Sequence, residues 1–232
     1  MKRRAIVYTD GRLSPAIWRY CAQSLAAAAA IDGVEVVVVG PIGDGWMYFP
    51  ATFCHQPGPK GTRRGLHDVH TKILDQATIA AGDGVGLLYL CEHDVLYPPG
   101  YFAALRIVTP KTIYYQRNVW RANSRGYWCH EGNTLLSQCA GEPATIGRAA
   151  GEKLLEIIQT GKAKWSEYGL SKRHIVDLWK SPAPAVDLRH GHNLTGNRQA
   201  RTETEYAVTL EPWGAHSKLW QDIGLTQQTP KQ

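Results

Sequence analysis

Apolar and polar positions fall into blocks along the first hundred residues, and the blocks carry two different periods. AIVYTD, residues 5–10, opens with a short apolar run of the kind a strand makes. Ser14-Pro15 then offers an N-cap followed by the residue best tolerated at the first helical position. A helix is predicted from there, because Ile17, Cys21, Leu25 and Ala28 recur at helical spacing and Gly33 stops the pattern. VEVVVVG, residues 34–40, is apolar at nearly every position, as in a strand buried on both faces. Together these make a βαβ unit with parallel strands. Ligands of such sheets collect beyond the carboxyl ends of the strands, where TDGR (9–12) and GPIGDG (40–45) lie.

Residues 46–63, WMYFPATFCHQPGPKGTR, are irregular and rich in Gly and Pro, which predicts a long functional loop. GPKGT within it lacks the four-residue gap and the Gly-Lys-Thr order of a phosphate-cradling P-loop. A helix over 64–81 is predicted from Leu66, Val69, Ile73, Ala77 and Ala80, with Gly82 as its stop. GVGLLYLCEHDVLYPPGYF (84–102) runs from an apolar strand straight into Glu92-His93-Asp94 and then a Pro-Pro-Gly turn. Further on, 101–108 reads as a short helix and 112–121 as a strand. Residues 145–160 read as a helix with Ile146, Ala150, Leu154 and Ile157 or Ile158 inward and Gly161 closing it. DLRHGHNLTGNR (187–198) reads as a dense polar loop. No internal repeat and no break in composition divides the chain, so a single α/β domain is expected over 1–221, with a frayed tail over 222–232.

Composition narrows the class. The 232 residues are 44% hydrophobic and 20% charged, the balance of a folded protein rather than a disordered or fibrous one. The longest apolar candidate, SLAAAAAI (24–31), is closed by Asp32 and Glu35, well short of the roughly 20 residues a spanning helix needs. MKRRAIVYTD has no small-residue cleavage site behind it, so a cytoplasmic protein without integral membrane association is expected. Five cysteines, at 21, 54, 91, 129 and 139, contain no CxxC pair and read as reduced, buried thiols. Twenty-six Lys and Arg against 20 Asp and Glu leave a net charge of +6, which favours an anionic partner.

The richest chemistry lies where the third apolar strand ends. Glu92 and Asp94 are two apart, and on an extended segment residues i and i+2 share a face. Two such carboxylates can hold a hard divalent cation that neutralises nucleotide phosphates; equally, the segment can be a surface turn in which Asp94 caps the next helix. LLYLCEHDVLYPPGYF resembles the strand and acid-x-acid element of GT-A type glycosyltransferases, a Rossmann-like α/β fold with a mostly parallel central sheet flanked by helices. The order of elements over residues 4–195 fits the same family, and the loop Asp-x-Arg-His-Gly resembles the closing loop of small phage-type glycosyltransferases.

The resemblance implies a metal-dependent transfer of a sugar from a nucleotide-sugar, expected to be a UDP-sugar, to an acceptor hydroxyl. It implies Mn²⁺ or Mg²⁺ held by Asp94, with Glu92 at the first acidic position contacting the cation, sugar or ribose. It further implies a histidine returned to the metal from the C-terminal loop, His190 in preference to His192, which stays open. Thr9, Asp10 and Arg12 correspond to the loop that contacts base and ribose, although Thr9 and Asp10 read equally as a turn and cap. Lys60, Arg63 and Arg64 are candidate cations for the diphosphate, or a solvated basic loop. His67 and His70, flanking Asp68 on a helix, lack a third metal ligand nearby.

An inverting enzyme needs a carboxylate base on the acceptor side; of Glu131 and Glu142, Glu142 is the candidate, just ahead of a helix. YYQRNVWRANSRGYW (114–128) interleaves Arg117, Arg121 and Arg125 with Tyr114, Tyr115, Trp120, Tyr127 and Trp128. That composition suits either a nucleic-acid surface or core aromatics beside solvated arginines. On the first reading Arg117, Trp120 and Arg121, with Asn193 of the polar loop, contact the acceptor, expected to be a hydroxylated pyrimidine in DNA. The alternatives are a transferase of the same fold acting on a polysaccharide or lipid-linked acceptor, a nucleotidyltransferase, and a nucleic-acid-binding module without catalysis.

Overall fold

The computed structural model describes residues 1–9, 13–40, 51–53, 62–106, 108–129, 138–160, 175–189 and 205–225, with side-chain detail beginning at 67 in the second helix and at 177 in the tenth strand. The opening unit is β1 (Lys2–Tyr8), α1 (Pro15–Asp32) and β2 (Glu35–Val39). Ser14 caps α1, accepting a hydrogen bond from the Ile17 amide at 3.3 Å, and Gly33 ends it with φ 62°. Then follow β3 (Ala51–Phe53), α2 (Thr62–Gly82), β4 (Val85–Glu92) and β5 (Val95–Leu96). The stretch expected to be irregular thus contributes a strand to the sheet. The left-handed turn after α2 falls at Gly84 rather than Gly82, since the Asp83 amide still donates back to Ile79.

The middle of the chain holds β6 (Thr112–Gln116), β7 (Val119–Asn123), β8 (Gly126–Cys129), β9 (Cys139–Gly141) and α3 (Pro143–Thr160). The last described part holds β10 (Ile175–Trp179), β11 (Ala185–Leu188), a small hairpin of β12 (Thr209–Leu210) and β13 (Gly214–Ala215), and α4 (His216–Asp222). Seven strands form the main sheet in the order β10-β6-β9-β4-β1-β2-β3, and all run parallel except β9. A second sheet has the order β5-β11-β7-β8. The expected α/β class with a mostly parallel central sheet is what the chain adopts.

The central strands are buried on both faces, and the pleat sorts their side chains between two cores. Ala5, Val7, Val36, Val38, Leu87, Tyr89 and Cys91 pack with Trp18, Ala22, Leu25 and Ala28 of α1. Ile6, Val37, Val39, Leu88 and Leu90 pack with Ile73, Ala77 and Ala80 of α2 and Ile146, Ala149 and Ala150 of α3. A third core joins the second sheet to the outer side of α1 and to α4, through Ile17, Cys21, Leu96, Ala122, Val186, Leu188, Leu219 and Trp220. Among the described residues no helix is long and apolar enough to cross a membrane.

Three expected elements are corrected. Residues 101–104 are a turn rather than the start of the expected helix over 101–108, because Asp32 at the end of α1 accepts the amides of Phe102 and Ala103 at 2.9 and 3.1 Å. The strand expected over 112–121 is two strands in different sheets; Gln116 accepts the Asn118 amide at 2.9 Å and turns the chain between them. Residues 222–225 belong to the packed structure rather than a frayed tail, since Ile223 is buried beside Leu219 and Trp220 and Leu225 packs against them. Of the α3 positions expected to face inward, Ile146, Ala150 and Ile157 are buried, Leu154 is half-buried and Ile158 is exposed. Three of the four described cysteines are buried thiols, and Cys129 is exposed.

His216, buried at the start of α4, donates from Nε2 to the Asn123 carbonyl at 2.6 Å and stacks on Trp220 with ring centroids 4.8 Å apart. Burial pulls its pKa below the usual 6.5, and the hydrogen bond offsets this only in part. The unfolded chain takes up that proton at about pH 6.5 and the folded chain only at lower pH, so the contribution to stability is full above about 6.5 and fades below it. The melting temperature is expected to fall from about pH 7.5 to about 5.5, and His216→Gln to flatten that fall. Identical pH profiles for the two proteins in thermal melts would contradict the assignment.

Candidate active site

The order β3-β2-β1-β4 means that the chain builds outward on one side of β1 and then returns to its other side. The crevice above the carboxyl ends of β1 and β4 is the place where an open parallel sheet leaves room for a ligand. Thr9 follows β1 and its amide donates to the Val39 carbonyl at 2.9 Å, which draws the ends of β1 and β2 together. Gly40 closes β2 with φ 146°, and a Cβ there would fall 2.0 Å from the Thr9 carbonyl oxygen, so only glycine permits this approach. At the amino edge of the same strands the charges are closed off: Arg4 donates to Glu35 at 2.9 Å and to Asp83 at 2.7 Å.

Glu92 is the last residue of β4, level with Tyr8 of β1. Its backbone is fixed by the buried Tyr97 hydroxyl, which accepts the Glu92 amide at 2.7 Å and donates to the Glu92 carbonyl at 3.2 Å. Its carboxylate accepts a hydrogen bond from Gln138 Nε2 at 3.2 Å. Beside Tyr8, Asp68 of α2 accepts from the tyrosine hydroxyl at 3.1 Å and from the buried Lys72 ammonium at 2.7 Å.

Asp94 is the hinge between the two sheets. β5 leaves directly after it and pairs antiparallel with β11, so the Leu188 amide donates to the Asp94 carbonyl at 2.9 Å and Asp187 lies level with Val95. β7 pairs parallel with β11 and sets Arg121 level with Asp187. The Asp187 side chain is 1% exposed, with Arg121 Nε at 3.5 Å and a hydrogen bond from Arg189 Nη2. Burial raises the Asp187 pKa, the positive charge of Arg189 opposes this, and Asp94 adds to the rise. Burial likewise works against the charge on Arg189, but Asp187, Glu92 and Asp94 together hold its pKa above the ordinary value. Burial, with Asp94 and Asp187 nearby, also pushes the Cys21 thiol well up and keeps it unreactive. Among the described residues, Asp187, Glu92 and Asp94 thus share one cluster with the guanidiniums of Arg121 and Arg189.

Carboxylate oxygens are hard donors of the kind a divalent cation takes, but His93 and Asp94 form a turn after β4, so Glu92 and Asp94 do not stand two apart on one extended segment as expected. Among the described residues no group of three or more His, Cys, Asp and Glu is arranged to hold a metal, and His190 and His192 lie outside the described residues. Asp10, Arg12, Lys60, Glu131 and Asn193 lie outside them too. Arg63 and Arg64 fall in the first turn of α2, their side chains outside the described set. His67 is exposed while His70 is buried, and Asp68 between them is engaged by Lys72 and Tyr8, so these three do not converge on a metal.

Glu142 does not reach the acidic pair. β9 runs against β4 with Gly141 level with Leu88, so Glu142 emerges at the amino edge, about 17 Å along the strand from Glu92 at roughly 3.3 Å per residue. Arg121 is not an acceptor-binding residue on a surface but a buried partner of Asp187. Tyr114, Tyr115, Tyr127 and Trp128 are core residues, Trp120 is half-buried against the third core, and Arg117 is exposed in the turn after β6. The residues the sequence did not single out are Asp187, Arg189, Gln138 and Tyr97. Asp187 and Arg189 stand in the quoted loop pattern two apart, the spacing that on a strand puts both on one face.

Removing Arg189 leaves a buried carboxylate with one guanidinium instead of two. Arg189→Met is expected to cost about 3 kcal/mol of stability at neutral pH, measured by urea unfolding. The cost should shrink as the pH is lowered and Asp187, its pKa raised by burial, takes up a proton; a pH-independent loss would mean that packing rather than charge is at stake.

No protein-family model and no curated protein matches the chain. Among solved structures it is similar to a glycosyltransferase involved in the glycosylation of the major capsid of PBCV-1, with 8% identity, a TM-score of 0.43, and coverage of 76% of this chain and 81% of that one. It is also similar to a protein from Thermus thermophilus described as mannose-1-phosphate geranyltransferase, with 12% identity, a TM-score of 0.46, and coverage of 80% of this chain and 76% of that one.

Proposed function

We propose that the chain is a glycosyltransferase that moves a sugar from a nucleotide-sugar to an acceptor hydroxyl. The observation that carries this reading is the acidic end of β4, Glu92 and Asp94, set at the switch point between β1 and β4 and joined there by Asp187 and Arg189 from the second sheet. In glycosyl transfer the acceptor oxygen bonds to the anomeric carbon as the bond to the diphosphate breaks, and charge builds on the departing phosphate. A divalent cation held by Asp94, with Glu92 and His190 as further ligands, would supply the charge that draws the diphosphate away. Thr9 lines the end of β1, where the base and ribose of the donor would lie. Glu92 is anchored through Tyr97 on its backbone and Gln138 on its carboxylate, a preorganisation that supports this reading. We assign no proton-removing role to Glu142, which follows Gly141 at the level of Leu88 rather than of Glu92.

DNA carrying a hydroxylated pyrimidine is the acceptor we put forward, supported by the net charge of +6. The aromatic residues of 114–128 no longer support it, because most of them are core.

A thermal-shift panel of nucleoside diphosphates with and without Mn²⁺ tests the donor reading. A true ligand at a hundredfold excess over its dissociation constant adds about 2.7 kcal/mol of apparent stability. Asp94→Asn is expected to abolish the Mn²⁺-dependent part of that shift and to lower turnover about 100-fold or more. A non-catalytic binding module would be untouched by the substitution. For the acceptor, binding to duplex DNA is expected to weaken steeply between about 50 and 200 mM salt. A flat salt response would remove DNA from the proposal and leave a neutral polysaccharide or lipid-linked acceptor.

A further inference from the structure

The side chain of Gln138 is spoken for at one end only. The residue is 2% exposed, immediately ahead of β9, and its Nε2 donates to Glu92 Oε2 at 3.2 Å. Its Oε1 is buried and has no hydrogen-bond partner among the described residues. The orientation of the amide follows from chemistry: a carboxylate only accepts, so the NH₂ group must face Glu92 and the carbonyl oxygen must face away from it. The side chain is held in that pose by β9, which is paired on both sides, with β4 and with β6. Because β9 runs opposite to β4, Gln138 lies at the carboxyl edge, on the crevice side of the sheet, whereas Glu142 four residues later does not.

A buried acceptor without a partner is a costly feature unless something that donates arrives there. Phosphate oxygens, also acceptors, cannot fill that role. A hydroxyl can, and the ring hydroxyls of a sugar are the donors that a nucleotide-sugar carries next to its diphosphate. Resting on the glycosyltransferase reading above, we propose that Gln138 is a sugar-recognition residue, its Oε1 accepting a hydrogen bond from one ring hydroxyl of the donor sugar while its Nε2 keeps Glu92 in place. Gln138 then distinguishes the intact donor from the bare nucleoside diphosphate, which has no hydroxyl to offer at that point.

The test compares calorimetric binding of UDP-glucose and GDP-mannose with that of UDP and GDP, in the presence of Mn²⁺, for the wild-type protein and Gln138→Met. The variant keeps the length and burial of the side chain and loses the acceptor. Because it also loses the Nε2 donor to Glu92, both ligands can weaken, and it is expected to lose about tenfold more affinity for the preferred sugar nucleotide than for the matching diphosphate. Equal affinities of variant and wild type for the sugar nucleotide, or an equal loss for both ligands, would overturn the proposal. If the variant does not fold, the wild-type protein still decides it with donors in which single sugar hydroxyls are replaced by fluorine, which cannot donate. One position should cost about tenfold, and no loss at any position overturns the assignment. If the wild-type protein binds none of the four nucleotides, the glycosyltransferase reading itself falls and takes this one with it.

Discussion

Burial of β1, β2 and β4 on both faces constrains everything else in this chain. With one set of side chains packed on α1 and the other on α2 and α3, a polar group has no place in these strands until they end. The pleat therefore drives charge to the two edges of the sheet, and the edges are treated differently. At the amino edge, Arg4 is locked between Glu35 and Asp83. At the carboxyl edge, Glu92 and Asp94 emerge beside the gap between β1 and β4, with Thr9 and Gly40 brought close by a backbone hydrogen bond.

The second sheet determines how that acidity is managed. An isolated pair of carboxylates at a sheet edge would be held apart by mutual repulsion and bathed by water. Here β11 lays Asp187 beside Asp94, and the two arginines that neutralise Asp187 come from the end of β11 and from β7. The guanidinium of Arg189 feels Glu92, Asp94 and Asp187 together, so the site is a partly balanced network rather than a bare acidic patch. In such a network a buried carboxylate is held against opposite charges rather than left alone in the interior.

The segment 114–128 shows how one composition serves two ends. Its arginines and aromatics match a stacking surface for bases, yet β6 is buried along its whole length and β7 and β8 supply Ala122 and Tyr127 to the third core. Arg121, the most buried of its arginines, is consumed by Asp187. The interleaving arises because this stretch turns from one sheet into another at Gln116 and Asn118, so that neighbouring residues answer to different packing partners.

The sequence by itself determined the elements whose pattern is local. The capped start of α1 at Ser14, its end at Gly33, the doubly buried β2, and the strand that runs into Glu92 and Asp94 are all written in periods of two or 3.6 and in capping chemistry, which depend on near neighbours alone. The tertiary structure alone decided which distant groups meet. That β9 runs against β4 puts Gln138 at the site and Glu142 at the far edge, although only four residues separate them. That β5 and β11 pair places Asp187 and Arg189 against residues almost a hundred positions away. Strand direction and register are set by the packing of the whole sheet, and no local period encodes them.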